Sequence, residues 1–202
     1  DISPDVLIPR PETELLIEKA IRWLNASPER RTVADVGTGS GLIATTIAMH
    51  VPGVRILAPD ISQAAIRVDK HNAQKFHVHH QIDFLQCDLL PQHVDQLPTD
   101  RHFDLLCANL PYIPTNTLLG LPILGREPTL ALDGGADGLD VYRRLLALSI
   151  EWLAPKGTLL FEIEASQGMK ALSMVYDTFT ESTIQLHQDL NGRDRLLEIH
   201  LH

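Results

Sequence analysis

The chain has 202 residues, 44% of them hydrophobic and 21% charged, and carries a formal net charge of −9. That length makes one domain with a sizeable core, and that charge argues against a protein whose affinity comes from neutralising phosphates along a nucleic acid, leaving room for a basic partner or a local patch, so no stable nucleic-acid binding is expected. No apolar run approaches the roughly eighteen residues of a membrane helix and no signal or lipidation motif appears, which predicts a cytoplasmic protein without membrane contact.

Residues 1–30 read as a leading loop and helix, and residues 31–202 as the main body of the domain. The first eleven residues are irregular, with Pro4, Pro9 and Pro11. Pro11 suits a helix start and Glu12 and Glu14 favour its positive end. Leu15, Leu16, Ala20, Ile21 and Leu24 recur at helical spacing, so a helix is predicted over 11–25. Thr32–Gly37 is a short apolar strand running into Gly37-Thr38-Gly39-Ser40-Gly41 and then a helical run to Ala48. Strand, glycine turn and helix form the first half of a nucleotide-binding unit. The third glycine comes one residue earlier than in a dinucleotide fingerprint, and Asp35 stands two residues before the first.

Val54–Asp60 is the second strand, and an acid at its end can take both hydroxyl protons of a ribose. Ser62 caps a helix running to residue 75. Ile82–Cys87 is the third strand and Asp88 follows it, where an acid can accept from an adenine amino group. His77, His79 and His80 cluster without a cysteine or carboxylate at ligand spacing, so no metal site is expected; Cys87 and Cys107 sit in apolar runs and read as buried reduced thiols. Residues 91–102 read as a polar loop and Phe103–Cys107 as the fourth strand.

Asn109-Leu110-Pro111-Tyr112 follows that strand. Asn109 offers a carbonyl acceptor. Leu110 precedes a proline and is held extended, so its own carbonyl points in a narrow range of directions. Two fixed acceptors can take both hydrogens of a planar NH2 group, with the Tyr112 ring stacked on its face. Residues 113–136, rich in proline and glycine, read as a substrate-facing flap. A helix over 140–153, a turn at Ala154–Gly157, a strand over 158–163, a helix over 166–179 and a hairpin of 182–189 with 195–200 around Asn191-Gly192 complete the chain. Glu162 is an acid within an apolar strand, readable as an outward-facing position at a sheet edge.

The stretch from Asn109 to Tyr112 resembles the Asn-Pro-Pro-Tyr motif of amino-group methyltransferases that use S-adenosylmethionine. Together with Ile8-Pro9-Arg10-Pro11-Glu12-Thr13-Glu14, Glu127–Leu132 and Gly134–Leu139, it makes nearly the whole chain similar to the release factor glutamine methyltransferases of the HemK or PrmC type. The resemblance implies an α/β, Rossmann-like class I fold: a mostly parallel seven-stranded sheet with one reversed strand near the end and helices on both faces. It implies S-adenosyl-L-methionine as cofactor, released as S-adenosyl-L-homocysteine, held by Asp35, Gly37, Thr38, Gly39, Ser40, Gly41, Asp60, Asp88, Leu89 and Asn109. Asn109, Leu110, Pro111 and Tyr112 would act on the substrate, with Arg10 and Glu12 at the mouth. The substrate implied is the glutamine of the Gly-Gly-Gln motif in peptide chain release factors, and the chain is expected to correspond to the catalytic domain alone, without the family's N-terminal helical domain. Two departures stand out: Leu110 replaces the first proline, and Leu89 stands where the family often has an aromatic against adenine. A glutamine of a ribosomal protein, an adenine or guanine amino group as acceptor, and a cofactor-binding module without turnover are the alternatives.

Overall fold

A computed structural model describes residues 1–91 and 102–202. Of the predicted loop 91–102, only Pro91 and His102 fall among them; its interior lies outside the described residues.

The helices are α1 (Thr13–Asn25), α2 (Leu42–His50), α3 (Gln63–Lys75), α4 (Thr115–Leu118), α5 (Asp140–Trp152) and α6 (Gly168–Thr178). The strands are β1 (Thr32–Val36), β2 (Arg55–Asp60), β3 (Ile82–Gln86), β4 (Phe103–Ala108), β5 (Leu153–Glu162), β6 (Ser182–Gln188) and β7 (Asp194–Leu201). They form one seven-stranded sheet in the order β3-β2-β1-β4-β5-β7-β6. Neighbours from β3 through β5 pair in parallel, and β7 runs antiparallel to both β5 and β6. The one reversed strand is therefore β7, inserted between two strands of the common direction.

Alternation along each strand divides the core into two layers. Val33, Ile56, Leu105, Cys107 and Leu160 pack with Leu16, Ile17, Ala20 and Leu24 of α1 and with Ile43, Ala44 and Ile47 of α2. Ala34, Leu106, Ala108, Leu159 and Phe161 face Tyr142, Leu145 and Leu146 of α5 and Ala171 and Val175 of α6. These strands are buried on both faces, which is why they read as continuous apolar runs.

Three details differ from expectation. Helix α1 begins at Thr13, two residues after Pro11. Leu153 pairs with Phe103 and Thr158 with Leu105, so residues 154–157 bulge out where a separate turn was expected, with Lys156 at φ 65°. Glu162 is not at a sheet edge: β5 lies between β4 and β7, and Glu162 is 1% exposed.

The flap is tied down at its base. Ile113 donates to the Leu132 carbonyl at 3.0 Å, and Gly134 donates to the Ile113 carbonyl at 2.9 Å. Among the described residues no helix is long and apolar enough to cross a membrane, and no group of three histidine, cysteine or acidic side chains is placed to hold a metal ion.

Candidate active site

Strand order reverses between β1 and β4, and in open α/β sheets ligands bind beyond the carboxyl ends of the strands at that point. A cavity of about 220 Å³ opens there. It is walled by the glycine turn after β1, Asp60, Asp88 and Leu89, Asn109–Pro111, the leading segment with Arg10 and Thr13, and Pro128–Asp133 of the flap.

The glycine turn is held by backbone groups from β2. Gly37 and Thr38 both donate to the Pro59 carbonyl, at 2.9 and 3.2 Å. Pro59 thus lacks a donor where only its acceptor is used. Asp60 Oδ2 accepts from Gly39 N–H at 3.0 Å and Oδ1 from Ser62 N–H at 2.8 Å. Each carboxylate oxygen keeps a further acceptor position for a ligand hydroxyl. Burial pushes the Asp60 carboxyl above its usual range.

Asp35 does not line the cavity. It is fully buried beneath the turn, where Oδ2 accepts from Thr38 Oγ1 at 2.9 Å and from Ala44 N–H at 3.0 Å. Thr38 Oγ1 also stands 2.8 Å from Oδ2 of Asp69, on the buried face of α3. A hydroxyl has one proton, so it can donate to only one of these acids. The other must be protonated to bond to it. Burial raises each carboxyl to about 7, against the lowering effect of Thr38. Asp35 Oδ1 and Asp69 Oδ1 are buried without a partner among the described residues. Asp69 escaped the sequence reading, although it shares the inner stripe of α3 with Ala65, Ile66 and Ala73. A Cβ on Gly41 would run into its carboxylate, so Gly41 admits Asp69 and stands away from the cavity lining. Ser40 does line the cavity, and its carbonyl accepts from Asn72 Nδ2 at 2.8 Å.

Asp88 is half exposed and ion-paired with Arg144 of α5. Leu89, at φ 63°, is buried against the cavity. Asn109 lines the cavity and donates through Nδ2 to Thr13 Oγ1 at 3.0 Å, while its Oδ1 is buried with no partner among the described residues. Leu110 N–H donates to the Tyr142 hydroxyl at 3.0 Å, and that hydroxyl donates to the Glu162 carbonyl. A proline at 110 would lack the first of these bonds, so leucine here has a use for its N–H. Pro111 lines the cavity; Tyr112 does not. The Tyr112 ring packs against the α5–α6 layer, and burial beside Glu162 pushes its phenol up to about 12. Arg10 reaches the wall already committed: Nη2 donates to Glu127 Oε1 at 2.8 Å, and Glu127 Oε2 accepts from Ile8 N–H at 3.0 Å. Glu12 is not among the lining residues. Thr13, Tyr142 and Glu162 were not foreseen as site residues; their only signal was a polar group inside an otherwise apolar pattern.

The lining carries Asp5, Asp60, Asp88 and Asp133 against two arginines, Arg10 and Arg144, each paired with an acid. Such a wall repels phosphate and suits a cationic nucleoside. Gly39 lines the cavity, and a Cβ there would meet nothing nearer than the Gly37 carbonyl at 3.9 Å. The donor set and this bare stretch of turn fit S-adenosylmethionine.

Residues 14–118 match a family model described as ribosomal protein L11 methyltransferase (PrmA). A release factor glutamine methyltransferase of Moorella thermoacetica is 43% identical over 195 residues, spanning 96% of this chain and 67% of the relative. A solved protein-(glutamine-N5) methyltransferase (release factor-specific) from Alicyclobacillus acidocaldarius superposes with a TM-score of 0.60 at 28% identity, covering 100% of this chain and 99% of that one. A ribosomal protein L11 methylase from Lactobacillus delbrueckii superposes at 0.67 with 22% identity, over 100% of this chain and 84% of that one, a likeness of fold.

Proposed function

Because the chain belongs to the release factor glutamine methyltransferase family, we propose that it transfers a methyl group from S-adenosyl-L-methionine to the side-chain amide nitrogen of the glutamine in the Gly-Gly-Gln motif of cytoplasmic peptide chain release factors. One observation carries the proposal. Asn109 lines the same cavity as Gly37–Ser40 and Asp60, and its Oδ1 is a buried acceptor with no partner among the described residues. An orphaned buried acceptor costs about 1–3 kcal/mol, a cost offset when a ligand N–H reaches it.

An electrophilic methyl carbon on a sulfonium is the chemistry that S-adenosylmethionine supplies when bound. Asp60 would hold the ribose hydroxyls, Asp88 the adenine amino group and Leu89 the ring by apolar contact. The backbone at Gly37–Ser40 would lie against the methionine part, with Asp35 acting from below to hold the turn. An amide nitrogen is a poor nucleophile because its lone pair is delocalised into the carbonyl. Asn109 Oδ1 and the Leu110 carbonyl, accepting its two N–H bonds, favour the localised lone pair and aim it along the line of displacement. Pro111 restricts Leu110 and thereby its carbonyl. No carboxylate or imidazole lies in hydrogen-bond contact with Asn109 among the described residues, so the surplus proton leaves to water. Tyr112 would have to swing from its packed position to cover the substrate amide, and Arg10 stands in the wall that the substrate loop would approach.

The match of residues 14–118 to the L11 methyltransferase family favours a ribosomal-protein acceptor as the second reading. Methyl-labelled cofactor, offered with purified release factor, ribosomal proteins, ribosomal RNA and DNA in one competition, decides between them. Label on the release-factor glutamine, located by tandem mass spectrometry, is the expected result. Label on a ribosomal protein or nucleic acid, or none, overturns it.

A further inference from the structure

Asn109 can serve as an acceptor in only one of its two amide orientations. Turned over, the nearly isosteric side chain would show NH2 to a substrate NH2, donor against donor. Its hydrogen-bond partner among the described residues, Thr13 Oγ1, does not by itself choose between them. A hydroxyl both donates and accepts, so it could bond either end of the amide. Thr13 selects an orientation only if its own proton is committed elsewhere.

The residue placed to take that proton is Glu162. It follows Leu160 on the face of β5 that packs against α1, the helix that begins at Thr13. It is 1% exposed, and both of its carboxylate oxygens are buried without a hydrogen-bond partner among the described residues. Its backbone carbonyl accepts from Tyr142, whose hydroxyl in turn accepts from Leu110 N–H. Glu162 therefore borders both halves of the two-acceptor clamp.

We propose that Glu162 is a positioning residue that sets the orientation of the Asn109 amide: its carboxylate takes the Thr13 proton, leaving the Thr13 oxygen able only to accept, so Asn109 turns NH2 to Thr13 and its oxygen to the cavity. The inference rests on Asn109 being the acceptor for the substrate amide. Burial raises the Glu162 carboxyl to about 7, opposed by the Thr13 hydroxyl, by Arg195 from β7 and by the Tyr112 hydroxyl, and reinforced by Glu12. The Thr13 and Tyr112 hydroxyls thus lie near the carboxyl, short of completed hydrogen-bond geometry. Protonated, Glu162 can donate to Thr13 and release the Thr13 proton toward Asn109, and the selection is lost. Methyl transfer therefore has an acidic limb set by this group.

Glu162→Gln tests the assignment, because glutamine keeps the shape and can show either oxygen or NH2 to Thr13. The expected result is a kcat at least tenfold lower with cofactor affinity unchanged, and loss of the acidic limb. Thr13→Ser, which keeps the hydroxyl, retains activity; Thr13→Val, which keeps the volume, falls as Glu162→Gln does. The double variant Glu162→Gln/Thr13→Val is no worse than the poorer single one. Independently of turnover, the side-chain amide resonance of Asn109, identified by its loss in Asn109→Ala, shifts and exchanges faster with solvent in Glu162→Gln. Additive losses in the double variant, or an Asn109 resonance and pH profile unmoved by Glu162→Gln, overturn the inference. If the wild-type chain methylates no release factor and yet the resonance moves, the substrate assignment fails and the positioning role stands.

Discussion

The side chain of Leu110 fills the space above Gly37: a Cβ on Gly37 would stand 2.7 Å from Leu110 Cδ2. The turn that would cradle the cofactor and the segment that would hold the substrate are thus packed directly on one another, with Gly37 at φ +72° making the approach possible. A change on one side is felt on the other.

Two glycine substitutions separate the roles of the turn. Gly37→Ala forces Leu110 aside and strains a positive φ; a loss of about 1–3 kcal/mol is expected, read as a lower Tm, together with weaker cofactor binding. Gly39→Val should lower the Tm less, since its Cβ meets open space, yet abolish cofactor binding by filling the cradle. Calorimetry with S-adenosylhomocysteine beside a thermal melt distinguishes them. Full affinity in Gly39→Val would remove the turn from the cofactor site.

Asn109→Ala deletes the acceptor proposed for the substrate amide. Loss of about 2–3 kcal/mol of transition-state stabilisation predicts a kcat down by about 30- to 150-fold, with cofactor affinity changed by less than about threefold. Unchanged turnover would refute the two-acceptor clamp.

The Asp35–Thr38–Asp69 group makes stability depend on pH in an unusual direction. Both carboxyls have folded-state values raised from 3.8 to about 7, so the folded chain binds more protons than the unfolded one between those limits. Their contribution is fully present below the unfolded value and is lost as pH rises through about 7. Asn at position 69 can donate to Thr38 and carries no charge. Asp69→Asn is therefore expected to raise Tm at pH 8 and to lose that advantage by pH 4, as measured by scanning calorimetry across the range. A Tm difference independent of pH would mean the two acids do not share the proton.

Glu127 clamps the leading segment to the flap through Arg10 and the Ile8 N–H. Its side chain is 7% exposed, so removing it leaves Arg10 without a partner at the cavity wall. Glu127→Ala should cost about 1–3 kcal/mol. It should also admit protease between residues 5 and 12 and raise KM for the protein substrate more than for the cofactor. Unaltered proteolysis would show that Arg10 and Ile8 are held by other contacts.

The alternation of apolar runs with helical spacing from Thr32 to Ile163 determined the parallel sheet, and Asn191-Gly192 determined the closing hairpin. Local chemistry was enough for these, because strand and helix periods are properties of neighbouring residues. The glycine turn, Asp60 and Asn109 were legible for the same reason: each stands at the end of an apolar strand, where a parallel sheet gathers its functional groups. What the sequence left undetermined are relationships across the sheet. Asp35 carries the acid expected in the cofactor site but lies beneath the turn, bonded to Thr38 and Ala44. Tyr112 was read as a lid and instead packs beside Glu162. Asp69 carried no signal beyond its place in the helix after Ser62, and Glu162 read as an outward position on a strand, because burial of a single acid depends on which elements lie on either side of it. Only the packing of α3 under the glycine turn and of α1 against β5 brings those carboxyls to Thr38 and Thr13. Separations of about thirty and a hundred and fifty residues leave no periodic trace, and it is there that the tertiary structure decided which way an asparagine faces.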